Sequence, residues 1–170
     1  MRDFYKEIRE WGMQRGIYAQ RFSLIKIIGF INDELGEVEL AENEHDRVGE
    51  LSDIAVFAAN ALFLININFD INKLINDWVN HESTPNDYNT INGALAGLAK
   101  GDDIQDGFVQ IILLVQCFIE TVEGYDFNVV MDETLKKINS RQGFFDKDSG
   151  KWQKIITGNE YKPDYSVALF

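Results

Sequence analysis

The sequence predicts an all-α protein: a helical bundle of about six to seven helices followed by an irregular C-terminal tail. Three observations lead there. Apolar residues recur at three- and four-residue spacing along almost all of the 170 residues. Two prolines and 13 glycines exclude Pro-rich and collagen-like chains. The stretch from Leu51 to Ile65 is apolar nearly all round, the pattern of a central buried helix.

The elements follow in order. Phe4, Ile8, Trp11 and Ile17 fall near one stripe and predict a helix over 3–20. Ser23 suits an N-cap for a second helix over 24–43, with Leu24, Ile27, Ile28, Ile31, Leu35, Val38 and Leu40 on its stripe. A third helix is expected over 46–66 and a fourth over 70–81. Pro85, among Ser83, Thr84, Asn86 and Asp87, marks a loop. Helices over 88–100, 103–123 and 126–141 complete the set. From Gly143 the chain changes to turns and extended segments, with a short hairpin expected around Asp148–Gly150. The resulting division is a helical domain over 1–142 and a tail or lid over 143–170.

Composition narrows the function. There are 28 acidic and 16 basic residues, a formal net charge of −12, and 45% hydrophobic residues. Such a surface repels phosphate backbones and anionic membranes, so neither a nucleic acid polymer nor a membrane is expected as partner. It favours metal ions and ligands that arrive with one. The single cysteine, Cys117, excludes an intrachain disulfide and a cysteine-rich zinc site. A charged N-terminal segment without a signal-peptide apolar region fits a cytoplasmic protein. The longest apolar stretch, Ile54 to Ile65, is about half of a membrane span.

A faint internal repeat runs through the chain. A shift of 56 places Asp46 on Asp102, Glu50 on Asp106, Asn60 on Gln116, Phe69 on Tyr125, Asp70 on Asp126 and Asn72 on Asn128. A shift of 57 places Gly36 on Gly93. Either 31–85 and 88–141 are a degenerate duplication, or two amphipathic helix pairs coincide.

The chemistry concentrates in four carboxylates. Glu34-Leu-Gly-Glu37 lies on the second helix and Glu50-Leu-Ser-Asp53 on the third. Residues three apart share a helical face, so antiparallel packing brings both pairs together. Four such groups repel and raise one another's pKa unless a hard cation joins them, and magnesium takes oxygen ligands of this kind. In a chain this acidic, such spacings also arise on solvated faces; Glu120/Glu123 is another. Asp53 opens the most apolar helix, where an unpaired carboxylate is costly. Gly36, inside a helix, suggests close approach by another helix or a ligand.

These residues resemble a family. Glu34-x-x-Glu37, a 12-residue gap and Glu50-x-x-Asp53 are similar to the signature of the all-α nucleoside triphosphate pyrophosphatases. That superfamily includes MazG proteins, dimeric dUTPases and dCTPases, and phosphoribosyl-ATP pyrophosphatase. NDELGEVELAE and GELSDIAVF resemble its two motif segments, and the Trp11 helix resembles its first helix. LKKINSRQGFF followed by GKWQK resembles the end of its last helix, whereas 66–100 matches nothing recognisable.

The resemblance implies a bundle of that type and hydrolysis of a (deoxy)nucleoside triphosphate to monophosphate and pyrophosphate. It implies Mg2+ held by Glu34, Glu37, Glu50 and Asp53, which also form the catalytic set. It implies Lys137, Asn139 and Arg141 on the phosphates, and a homo-oligomer, dimer or tetramer. The alternatives are a non-catalytic binding or assembly module of the same fold, or phosphoribosyl-ATP hydrolysis.

The basic segment has its own chemistry. Lys136, Lys137 and Arg141 are concentrated in an acidic chain, and arginine binds phosphate oxygens bidentately. The same charges would also answer a helix dipole. Lys151 and Lys154, beside Trp152, suit either a closing lid or plain surface. His45 and His81 read as surface residues. Trp11, Phe22 and Phe57 read as core aromatics able to stack on a base. Under the repeat, Glu34, Glu37 and Asp53 fall on Ile91, Ala94 and Val109. One metal cluster per chain is therefore expected, with the end of the last helix beside it.

Overall fold

The computed structural model describes residues 3–19, 24–80, 90–146 and 151–170. It is an all-α bundle with, among the described residues, seven α-helices and one two-stranded hairpin. Ser23, Phe22, His81, Pro85 and the hairpin tip Asp148–Gly150 lie outside the described residues.

Helix α1 (Phe4–Gln14) opens on Asp3, whose side chain accepts the Lys6 N–H at 3.1 Å. The continuous helix expected over 3–20 ends early. Gly16 takes a φ of +67°, which an α-helix does not continue through, and a short 3-10 turn, Ile17–Ala19, follows.

Helices α2 (Leu24–Leu40) and α3 (Glu44–Ile65) are joined by three residues, which forces an antiparallel pair. Asn43, expected inside the second helix, instead caps α3. Its side chain accepts the Asp46 N–H at 3.0 Å, the local bond that makes asparagine favour caps over helix interiors.

Helix α4 (Ile71–Asn80) and helix α5 (Ile91–Lys100) follow, α5 being capped by Thr90. Helix α6 (Ile104–Phe118) was expected to run unbroken to 123. It passes into a π-helical turn, Ile119–Glu123, and ends at Gly124 with φ +77°. The Thr121 hydroxyl donates to the Cys117 carbonyl at 2.6 Å there, a side-chain bond that competes with the regular backbone ladder. Helix α7 (Phe127–Ser140) closes the bundle.

The core forms around α3, where Ile54, Ala55, Ala58, Ala59, Ala61 and Leu62 are fully buried. Its closest neighbours are α2 and α6, with α1 and α7 completing the enclosure. Each large aliphatic side chain buried there contributes roughly 1.5–3 kcal/mol, before the entropy cost of ordering it. Counted as a whole helix, α3 is long and apolar enough to cross a membrane, as is the stretch Ile104–Glu123. In this fold, 72% of the α3 apolar window is covered by the bundle.

The two halves share their element order, and α3 packs on α6. Asp70 and Asp126, which coincide under the 56-residue shift, both accept N–H bonds at the helix starts that follow them, α4 and α7.

After α7 the chain forms strands β1 (Gln142–Asp146) and β2 (Lys151–Ile155), paired antiparallel with Phe144 opposite Gln153. The remainder straps back onto the bundle. Tyr165 is buried in a 3-10 turn, the Asp126 N–H donates to the Ala168 carbonyl at 2.7 Å, and the Phe170 N–H donates to Gly124 at 3.2 Å.

Candidate metal and phosphate site

The antiparallel α2–α3 pair brings three of the four sequence-marked acids together. One carboxylate oxygen from each of Glu34, Glu50 and Asp53 lies within 4.8 Å of the others, and all three residues are half-buried. Among the described residues this is the one group of three or more potential ligands so placed. Glu37, one turn beyond Glu34, is exposed and stands outside the trio, but it lines the same cleft.

Crowding shows in the titration of these groups. Burial, then the negative Asp53, then a hydrogen bond to Glu50 push Glu34 up to about 8. Burial also raises Glu50, opposed by the bond it accepts from Glu34. Glu34 thus holds its proton and donates it in a hydrogen bond to Glu50, which relieves part of the repulsion.

Lys137 supplies a cation. Its ammonium lies 2.8 Å from Asp53 Oδ2, with the two side chains only 14% and 17% exposed. Burial alone would lower the Lys137 pKa, but the Asp53 carboxylate and Tyr165 together outweigh it and the net shift is upward.

The end of α7 is fixed from α1. The Trp11 indole N–H donates to the Ile138 carbonyl at 3.1 Å, and Arg15 Nη2 donates to the Arg141 carbonyl at 3.2 Å. Both carbonyls belong to a helix terminus, where intrahelical donors run out. Arg15 also lies over the Trp11 ring, 4.8 Å from its centroid.

A cleft of about 370 Å³ opens beside the acids. Asp33, Glu34, Glu37, Asp53, Arg141 and Lys154 form its charged part. Trp11, Phe30, Phe57, Asn60 and Leu64 belong to its less polar part. Lys154 comes from β2, so the hairpin contributes to the site.

Other expectations fall differently. Asn139 is exposed and does not line the cleft. Arg141, the extended C-cap of α7, reaches the cleft, whereas Asn139, two from Lys137 on the helix, faces away from Lys137. Lys136 is exposed and bonds Glu133, away from the trio. Gly36 makes no close approach: a Cβ there would meet nothing within 4 Å. His45 is exposed, with its ring 5.9 Å from that of Tyr125. Asn60 and Tyr18 carried no sequence motif. The one sequence signal for Asn60 was a polar residue inside an apolar helix, which must find partners when buried.

No known protein family, curated protein or solved structure matches the chain. The fold and site thus define a helical bundle with a carboxylate trio, a bonded lysine and an adjoining cleft.

Proposed function

We propose that this protein is a magnesium-dependent nucleoside triphosphate pyrophosphohydrolase. The observation that carries the reading is the convergence of Glu34, Glu50 and Asp53, two of which, Glu34 and Asp53, line a cleft that Arg141 and Lys154 also line. The trio is an all-oxygen donor set with one proton to lose, which suits magnesium and not a soft metal. Bound there, magnesium would supply charge neutralisation across the phosphate oxygens.

The chain's own groups divide the remaining work. Arg141 and Lys154 meet phosphate oxygens on the side away from the acids, arginine bidentately and lysine as a point charge. Lys137 exchanges part of its bond with Asp53 for the same phosphates. A water oxygen bonds to the α-phosphorus, and the bond from that phosphorus to the α–β bridging oxygen breaks. The water proton passes to a carboxylate, and pyrophosphate leaves. Glu37, in the cleft but outside the trio, is the acceptor in this reading.

The test is phosphorus NMR on a panel of ribo- and deoxyribonucleoside triphosphates with magnesium, with EDTA as control. The expected products are monophosphate and pyrophosphate, in the magnesium samples only. Orthophosphate as the first product, or no turnover of any triphosphate, would overturn the proposal.

A further inference from the structure

The cleft extends beyond the acids into a region that the phosphate chemistry leaves unused. Asp53, Val56, Phe57, Asn60 and Leu64 line it along one stripe of α3. The seven-residue step from Asp53 to Asn60 is a rise of roughly 10 Å, of the order separating a nucleotide's α-phosphate from the far edge of its base. Phe30 of α2 faces the same region, its ring 5.6 Å from that of Phe57 and tilted by 44°.

Asn60 interrupts this apolar end and is only 6% exposed. Its amide has a dictated orientation. Nδ2 donates to the Val56 carbonyl at 2.9 Å, so the amide oxygen cannot face that way. Oδ1 instead accepts from the Tyr18 hydroxyl. Tyr18 reaches this position because α1 carries Gly12 beneath its ring, where a Cβ would collide with the phenol. One amide hydrogen of Asn60 is then left over, since the group has two. Asn60 lines the cleft, and an amide hydrogen left without an acceptor there is unfavourable until a ligand supplies one.

We infer that Asn60 selects the base, with Tyr18 and Gly12 as positioning residues, and that preferred substrates present a carbonyl to it. Bases that turn a 4-oxo (uracil, thymine) or 6-oxo (guanine) edge to it fit; the 4-amino group of cytosine and the 6-amino group of adenine at the same edge set donor against donor. For its phosphate end, the inference rests on the pyrophosphohydrolase reading.

The experiment compares kcat/KM for dUTP, dTTP, dGTP, dCTP and dATP in the wild type, Asn60→Ala and Tyr18→Phe. Calorimetric binding of the five monophosphates runs alongside. The wild type should favour oxo-bases by on the order of tenfold or more. Tyr18→Phe, which removes only a hydroxyl, should shrink that ratio, with the loss falling on KM more than on kcat. Equal use of all five nucleotides, or a preference that Tyr18→Phe leaves intact, overturns the inference and leaves the hydrolase reading standing. If no triphosphate turns over, the hydrolase reading fails and monophosphate binding decides. An oxo-base preference weakened in Tyr18→Phe then sustains the role of Asn60; equal or absent binding removes it.

Discussion

The Lys137 ammonium and Asp53 Oδ2 are 2.8 Å apart, although 84 positions separate them in the chain. The pair joins the end of α7 to the buried part of α3. It also puts the cation of the basic segment directly on the acid trio. Lys137 and a divalent cation therefore compete for Asp53. Lys137→Met should tighten magnesium binding while raising KM for the triphosphate. In EDTA, the variant should lose about 1–3 kcal/mol of folding stability, less than the roughly 3–5 kcal/mol of breaking a fully buried pair because both groups keep some solvent. Magnesium titration calorimetry and urea unfolding read the two effects. Weaker magnesium binding in Lys137→Met would contradict the competition.

Asp53→Asn and Glu50→Gln should each abolish turnover with little change in the helical CD spectrum. Both acids belong to the trio, and both substitutions keep side-chain size. A variant retaining more than about a tenth of the wild-type rate, roughly 1.4 kcal/mol in barrier, would take that residue out of the mechanism.

Glu34 gives the site a pH signature. Its folded pKa is pushed up to about 8 from the ordinary 4.5, first by burial and then by Asp53. Between those values, the folded chain binds a proton that the unfolded chain has lost. The contribution is therefore fully present below about 4.5 and lost as pH rises through about 8. In EDTA, stability should fall across this window, and Glu34→Gln should flatten the slope. Cation binding must expel the proton, so magnesium affinity should climb with pH and level off above about 8. Urea unfolding at a series of pH values checks the first trend. Calorimetry in buffers of different ionisation enthalpy counts the released proton.

The helices were legible because a helical stripe is a property of local sequence; their ends were less so. Asn43 reads as interior until its bond to the Asp46 N–H makes it a cap. Asp53 stood out because an acid at the head of an apolar helix needs a partner. The spacing also marked Glu37, but spacing says only that Glu34 and Glu37 share a face. Which of them points inward depends on how α2 is rotated against α3, and that is set by tertiary packing. Asn139 was grouped with Lys137 and Arg141 by proximity in sequence, which a helix does not preserve in space. Tyr18 escaped notice because its role depends on a helix 42 positions away, through Asn60.

Arg141→Ala should raise KM several-fold and leave magnesium binding near wild type. The guanidinium lines the cleft, but the trio is complete without it. The bond from the Arg15 guanidinium to the Arg141 backbone carbonyl survives the substitution, so the end of α7 stays in place. Unchanged KM and kcat would reduce Arg141 to a charge at a helix terminus.

The last prediction concerns the strap that follows the hairpin. Glu133 is a buried acid of α7, with its side chain 5% exposed. Burial would raise its pKa, but Lys136, the Tyr161 hydroxyl at 2.6 Å and the Asp164 N–H at 3.0 Å together hold it below the usual range. Two of these donors belong to the tail, so one carboxylate fastens residues 161–164 to the bundle. Beside it, the buried Thr134 hydroxyl bonds both Ser52 and Tyr165. Glu133→Gln cannot accept from all three donors, and should cost about 1–3 kcal/mol. A depressed pKa stabilises the fold above the unfolded value and is lost on acidification, so the deficit should narrow at low pH. Hydrogen exchange should rise selectively in 161–170, with α3 amides still protected, because α2 and α6 enclose most of α3. If exchange in the tail stayed at the wild-type level, Tyr165 and the Asp126–Ala168 bond would suffice to hold it, and Glu133 would matter to α7 alone.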